Sequence, residues 1–267
     1  MAVILEARNL QMRFGAVVAV DDINVSVGEG EVIGIIGANG AGKTTFVNMV
    51  TGYLTPTSGQ IFFEGRDVTA LDPRQITRLG ICRSFQIAQL FPEFTVLDNV
   101  LVALGIAKRR FFRPMVRPDM VTAGLRVLEH YGLSEHAERT VSTLPQGTRK
   151  LLDIALATVE DPKIVLLDEP TSGVGVDEKF GLMKTLMAAL QNQGATVLYI
   201  EHDMDLIERY AHRVIAFYDG KIIADAPPAE AFADDAVREF VIGAELHRQP
   251  KTEDYGNGES SASSDSC

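Results

Sequence analysis

Residues 32–45 read Val32-Ile33-Gly34-Ile35-Ile36-Gly37-Ala38-Asn39-Gly40-Ala41-Gly42-Lys43-Thr44-Thr45. A short apolar run, a glycine-rich loop and the start of a helix near Lys43 follow one another without a break. The loop fits the pattern G-x-x-x-x-G-K-[ST]. Its glycines let the backbone wrap so that N–H groups face phosphate oxygens, and the helix N-terminus adds a positive dipole. In that setting Lys43 is suited to neutralise the β- and γ-phosphates of a nucleotide, and the Thr44 hydroxyl to reach Mg2+. The whole loop from Gly37 to Thr45 is therefore a candidate nucleotide site: Gly37, Ala38, Asn39, Gly40, Ala41, Gly42, Lys43, Thr44 and Thr45.

Working outward, residues 31–36, 164–167, 196–200 and 214–217 read as short buried strands of a largely parallel sheet. Residues 43–51, 178–192 and 203–210 read as helices between them, which makes the organisation α/β. Residues 2–27 and 59–66 alternate in the manner of antiparallel strands. Residues from about 95 to 145 hold no clear strand and carry helical patterns such as VTAGLRVLEHYGL, so they read as a helical insert. From about Arg248 the chain is rich in Ser, Gly and acids, and disorder is expected there.

Composition bounds the function. Of 267 residues, 46% are hydrophobic and 23% charged, as in ordinary soluble proteins. No run of 18 apolar residues appears, and the start, MAVILEARNL, lacks a signal-peptide pattern, so a cytoplasmic location is expected. The net charge of −11 argues against a general nucleic-acid binder. One basic stretch, Lys108, Arg109, Arg110, Arg113 and Arg117, is interrupted by Phe111, Phe112 and Pro114. It reads either as a solvated linker or as a contact for anionic headgroups or a membrane protein's loop. Two cysteines, Cys82 and Cys267, make no disulfide framework.

Residues 164–169 form an apolar strand ending in two carboxylates. Beside a phosphate loop, Asp168 is placed to hold Mg2+ directly or through water. Glu169 is then positioned to orient and polarise the attacking water. Strands also end in solvent-facing acids for no catalytic reason, but the phosphate loop on the same chain favours the catalytic reading.

With these elements in hand, the chain resembles the ATPases of ABC transporters. The ordered set is Phe14, the phosphate loop, Gln86 in CRSFQ, LPQGT at 144–148, VLLDEP at 165–170 and His202 in YIEHDMD. The resemblance implies a P-loop NTPase fold with a RecA-like parallel sheet, an antiparallel β subdomain and a helical subdomain. It implies an ATPase domain over 1–245, with the helical subdomain at about 87–148, and a tail over 246–267. It also implies that Phe14 stacks on adenine, that Gln86 reaches Mg2+ and the γ-phosphate while coupling to a transmembrane subunit, and that His202 contacts the γ-phosphate and helps hold the water. Taken alone, each has a plainer reading: Phe14 as core filler, Gln86 as a loop residue, His202 as a structural histidine.

Two departures matter. The family's signature loop usually reads LSGGQ, whereas here it is Leu144, Pro145, Gln146, Gly147 and Thr148. Pro145 brings neither hydroxyl nor N–H, and Gln146 replaces a glycine. Gly147 keeps its place and leads into a helix expected over 149–158. Gly175 stands where the family usually has Asp or Asn. In this family two ATPs are sandwiched between two subunits, and each signature loop serves the partner's nucleotide. The resemblance therefore implies an unequal pair with a second, non-identical ATPase.

EHDMD, the segment from CRSFQ to LFPEFTVLDNVLVA and the early RFG look most like ATPases of branched-chain amino acid importers. Related importers carry urea, short amides and other hydrophobic amino acids. Transmembrane permease subunits, indirectly a solute-binding protein, and a peripheral place on the cytoplasmic face of the inner membrane are implied with it. A soluble ABC-type ATPase acting on nucleic acid or ribosomes usually has two cassettes or long coiled coils. This chain has one cassette and no heptad run. A low-turnover regulatory subunit is favoured by Pro145 and Gly175 and opposed by Glu169 and His202. A GTPase or small-molecule kinase has no reason to carry Gln86, Gly147 and His202 together.

Overall fold

The computed structural model describes residues 2–84, 90–107 and 118–243. Gln86, the basic stretch at 108–117 and the tail at 246–267 with Cys267 lie outside the described residues.

A hairpin opens the chain: β1 (Val3–Phe14) and β2 (Val17–Gly28), turned at Gly15 with φ +61°. β3 (Val32–Ile36) then runs through the glycine loop into α1 (Lys43–Val50). β4 (Ser58–Phe63) and the short β5 (Arg66–Asp67) follow. They join β1 and β2 in an antiparallel sheet of order β2-β1-β4-β5. Next come α2 (Pro73–Leu79) and β6 (Ile81–Ser84). Three helices occupy the expected insert and its exit: α3 (Val96–Ala107), α4 (Pro118–His130) and α5 (Gln146–Ala157). The chain then alternates through β7 (Ile164–Asp168), α6 (Val176–Asn192), β8 (Thr196–Ile200), α7 (Met204–Tyr210) and β9 (Arg213–Tyr218). β10 (Lys221–Ala226) and α8 (Pro228–Ala233) come before the last short helical turns.

The second sheet has the order β10-β9-β3-β8-β7-β6. Its strands are parallel except for β10, which folds back antiparallel on β9. Both faces of this sheet are covered, so alternate residues of one strand enter two different cores. Ile33, Ile35, Leu166, Leu198 and Ile200 face α1 and the antiparallel sheet. Val32, Ile36, Val165, Leu167, Val197 and Tyr199 face the helices on the other side. Gly34 breaks the run of large side chains because a Cβ there would lie 2.8 Å from Ile207 of α7.

The four expected buried strands and three expected helices are present, with ends shifted by one or two residues. The apolar patterning of the sequence does not mark β6, β10 or α2. β6 is only four residues long and carries Arg83 in its interior, so it does not read as an apolar run. α2 does carry a local signal. Asp72 accepts from the Gln75 N–H, Gln75 reaches back to the Asp72 N–H, Pro73 opens the helix and Gly80 closes it at φ +108°. The helix expected over 149–158 starts earlier, at Gln146, with Pro145 as its N-cap at φ −56° and ψ 154°. Gln146 and Gly147 are thus first-turn residues, not loop. As N-cap, Pro145 offers the first-turn N–H groups no side-chain acceptor, but its ring-fixed φ with extended ψ is compatible with that boundary.

Arg213 ties several edges together. Its guanidinium donates to both carboxylate oxygens of Asp225 on β10, to the Ser26 carbonyl of β2 at 2.9 Å, and to Glu31 at 3.2 Å just ahead of β3. Asp225 first, and then Glu31, raise its pKa further, so it stays charged. Cys82 is buried, donates to the Ala157 carbonyl, and burial pushes its thiol up to about 11, which leaves it unreactive at neutral pH. Replacing Arg213→Met is expected to lower unfolding free energy by about 1–3 kcal/mol, given the side chain's partial exposure. Urea denaturation followed by circular dichroism measures this directly.

Candidate functional site

Strand order decides which loops meet. β3, β8 and β7 are neighbours and parallel, so the segments leaving their C-terminal ends gather at one edge of the sheet. The glycine loop leaves β3, Glu201 and His202 follow β8, and the acidic pair closes β7.

The loop is built around positions that only glycine fills without strain. Gly37, Gly40 and Gly42 have φ of +143°, +86° and +106°. A Cβ on Gly37 would collide with the Phe217 carbonyl, and one on Gly42 would lie 2.7 Å from the Ala19 carbonyl. The loop is therefore pinned from behind by β9 and β2 while Asn39 and Gly40 stay exposed. Lys43 is buried, with its ammonium donating to the carbonyls of Gly37 and Ala38, the latter at 3.1 Å. Thr44 is exposed and Thr45 half-buried.

These residues share one cavity of about 270 Å³ with the acids. Asn39, Gly40, Gly42, Lys43, Thr44 and Thr45 line one side; Asp168, Glu169 and Ile200 line the other. Hydroxyl and carboxylate oxygens facing each other across a phosphate-sized space are the hard donors that suit Mg2+. Glu169 has φ +49°, a left-handed conformation that costs a branched or long side chain about 1–3 kcal/mol and is kept where surrounding contacts enforce it. Its N–H donates to the Ile200 carbonyl at 3.0 Å. Its Oε1 meets His202 Nε2 at 3.2 Å, which brings the expected base and histidine into contact.

Phe14, at the end of β1, is 49% exposed, which removes the reading of it as core filler. The signature segment is not brought to this cavity. Pro145, Gly147 and Thr148 line a separate hollow of about 260 Å³ against Glu178, Gly181, Leu182 and Thr185 of α6. Leu144 is buried beneath it, whereas Gln146 is exposed. The Gln146 amide fills the space that a Cβ on Gly173 would take, and Gly173 has φ +76°. Gly175 is the N-cap of α6 and supplies no side-chain cap, where an Asp or Asn would accept a first-turn N–H.

Two further residues belong to the site. Arg83 of β6 donates to Asp168 Oδ2 at 2.7 Å and to the Asn48 side chain of α1, with both charged side chains about a tenth exposed. Glu201 is buried, and its carboxylate accepts from Thr171 and from the His202 N–H. Both lie inside stretches that carry the family resemblance, Arg83 in CRSFQ and Glu201 in YIEHDMD, but nothing local assigns either residue a role.

A strand-borne phosphate loop facing an acid pair, with a histidine between, is the arrangement of a phosphate-loop nucleoside triphosphatase. The ABC transporter family pattern matches residues 20–172, more than half of the chain. The branched-chain amino acid transport ATP-binding protein BraF of Pseudomonas aeruginosa is 38% identical over 238 residues, which are 85% of this chain and 92% of that protein. A probable branched-chain amino acid transport ATP-binding protein, LivG of Archaeoglobus fulgidus, is 33% identical over 91% of this chain and 96% of its own. Among solved structures, the ADP conformation of MJ1267, an ATP-binding cassette of an ABC transporter, superposes with a TM-score of 0.79 at 32% identity. That match covers 90% of this chain and 98% of the other. The chain belongs to the ABC transporter family and is an ATPase of that type.

Replacing Arg83→Met removes the bonds to Asp168 and to Asn48 of α1, but no residue of the phosphate loop loses a partner. Turnover of Mg-ATP is expected to fall on the order of tenfold, while ATP binding in EDTA stays within about twofold. Steady-state kinetics and a fluorescent-nucleotide titration separate the two.

Proposed function

We propose that this chain is the ATP-hydrolysing subunit of an importer for branched-chain or other hydrophobic amino acids, with urea and short amides as related cargoes. The observation that carries the reading is the single cavity lined by Lys43, Thr44, Asp168 and Glu169, with His202 bonded to Glu169. The names of the relatives supply the cargo class.

Lys43 and the loop N–H groups bind the phosphates, and Phe14 offers its exposed ring to adenine. Thr44 and Asp168, with Gln86, are the residues that would hold Mg2+, which supplies charge neutralisation on the phosphates when bound. Glu169 orients and polarises a water against the γ-phosphorus, and His202 holds Glu169 and the γ-phosphate side of the site in register. The bond between the γ-phosphorus and the bridging oxygen breaks, leaving ADP and phosphate.

Among the described residues no helix is long and apolar enough to cross a membrane, so transport needs separate permease subunits. A groove of about 470 Å³ between α2, β6, α3 and α5 supports a docking place for them, with exposed Tyr53 and Ile106 on its walls. The chain then sits on the cytoplasmic face of the inner membrane, beside a second, non-identical ATPase and, across the membrane, a solute-binding protein. Pro145 supports the unequal pair because the loop lent to the partner's nucleotide has neither hydroxyl nor N–H at the position of the usual serine.

Glu169→Gln is expected to lower turnover by about 10²-fold or more while ATP binding persists, measured by phosphate release and nucleotide titration. Wild-type turnover in that variant sinks the catalytic assignment. For the pair, turnover of the chain alone is compared with turnover after adding the second ATPase. Full activity as a homodimer counts against an unequal engine.

A further inference from the structure

We propose that Glu201 is a positioning residue of the hydrolytic site: its carboxylate clamps the turn that follows Glu169 to the segment that carries His202. The inference rests on the roles given to Glu169 and His202 above.

Glu201 is the first residue beyond β8 and is only 4% exposed. Its N–H donates to the Ile35 carbonyl at 3.4 Å, which seats it over the end of β3. One carboxylate oxygen, Oε1, accepts from the Thr171 N–H at 3.0 Å and from the Thr171 hydroxyl at 2.6 Å. The other, Oε2, accepts from the His202 N–H at 3.2 Å. Both oxygens are thus committed, one to each catalytic segment. Thr171 is 2% exposed, and only Pro170, whose φ is fixed by its ring, separates it from Glu169. Anchoring Thr171 therefore restrains Glu169 through one stiff link.

A buried carboxylate is a costly way to tie down a turn unless its bonds set something that an apolar contact cannot. Glu169 needs such restraint. Its left-handed backbone is unfavourable on its own, and the 3.2 Å contact with His202 requires both segments to keep their relative place. A buried cation from a third element also feels the charge of this carboxylate. Lys150 of α5 is buried; desolvation lowers its pKa, and Asp153, Asp168, Glu169 and Glu201 oppose that shift. The helix that begins with the signature segment thus shares its electrostatic environment with the carboxylate that positions the hydrolytic site.

The test compares Glu201→Ala, Glu201→Gln and Thr171→Val with wild type and with Glu169→Gln, using the full chain. The readings are kcat, KM for ATP, ATP affinity and melting temperature. Glu201→Ala is expected to lower kcat on the order of tenfold to a hundredfold, with KM and affinity within about threefold, because misplacement acts on the reacting geometry. Glu201→Gln keeps the acceptor for Thr171 and is expected to recover part of kcat. Thr171→Val, which loses only the hydroxyl bond, is expected to fall between wild type and Glu201→Ala. Wild-type kcat in Glu201→Ala overturns the proposal. So does a parallel loss of kcat, affinity and melting temperature that Glu201→Gln does not rescue, which marks a purely structural residue. If Glu201→Ala does not fold, wild-type kcat in both Glu201→Gln and Thr171→Val overturns it. Undiminished turnover in Glu169→Gln identifies the catalytic assignment itself as the failure, and the clamp then has no reaction to position.

Discussion

The parallel hydrogen-bond ladder through β3, β8 and β7 is the constraint on which the rest of the molecule depends. Val32 pairs with Val197, Ile164 with Thr196, and Asp168 with Ile200. Since side chains alternate across a sheet, a slip of one residue in this register would exchange the two cores. Ile33 and Ile35 would turn toward the helices, and Val32 and Ile36 toward the antiparallel sheet. The same slip would carry the glycine loop, the acidic pair and His202 out of reach of one another. Burial of both faces thus fixes the position of polar site residues, buried Lys43 and half-buried Asp168, Glu169 and His202 among them.

At the edge where the ladder ends, polar groups replace apolar contacts as the means of holding place. Arg83 grips Asp168, Glu201 joins Thr171 to His202, and Lys43 is folded onto the loop carbonyls. A hydrogen bond to a charged group is worth about 1.5–3 kcal/mol, comparable to the cost of the left-handed backbone at Glu169. One such clamp is therefore enough to offset the strain, and the site carries more than one. This favours a geometry held before substrate arrives over one assembled on binding.

How much of this is readable in the chain follows from sequence distance. The phosphate loop and the acidic pair are contiguous, each announced by an apolar strand, and both are where residues 32–45 and 164–169 led one to expect. Arg83 and Asp168 are 85 residues apart, and Thr171 and Glu201 are 30 apart. Their partnerships are made by strand order, which no local pattern specifies. β10 hides for a related reason: Asp225 interrupts its apolar run, and it is there to meet Arg213 on β9. α2 is a different case. Its capping box, Pro73 and Gly80 are local signals that the sequence displays, but a seven-residue helix has too short a periodic stretch to draw attention to them.

The signature segment changes meaning once its backbone is placed. Read as a loop, Pro145 and Gln146 look like losses, because the usual serine hydroxyl and close-fitting glycine are gone. With α5 starting at Gln146, the N–H groups of Gln146, Gly147 and Thr148 occupy the first turn, where a helix offers donors outside its own ladder. No side chain caps them, and Pro145 takes none of them. The segment has lost a side-chain donor but keeps backbone donors and the positive end of a twelve-residue helix. Gln146, which would obstruct a close approach if it pointed outward, instead lays its amide against Gly173 of the same chain. Under the proposed pairing, the departure weakens what this subunit offers the partner's nucleotide without removing it. Its own cavity shares no residue with that segment and is left unaltered.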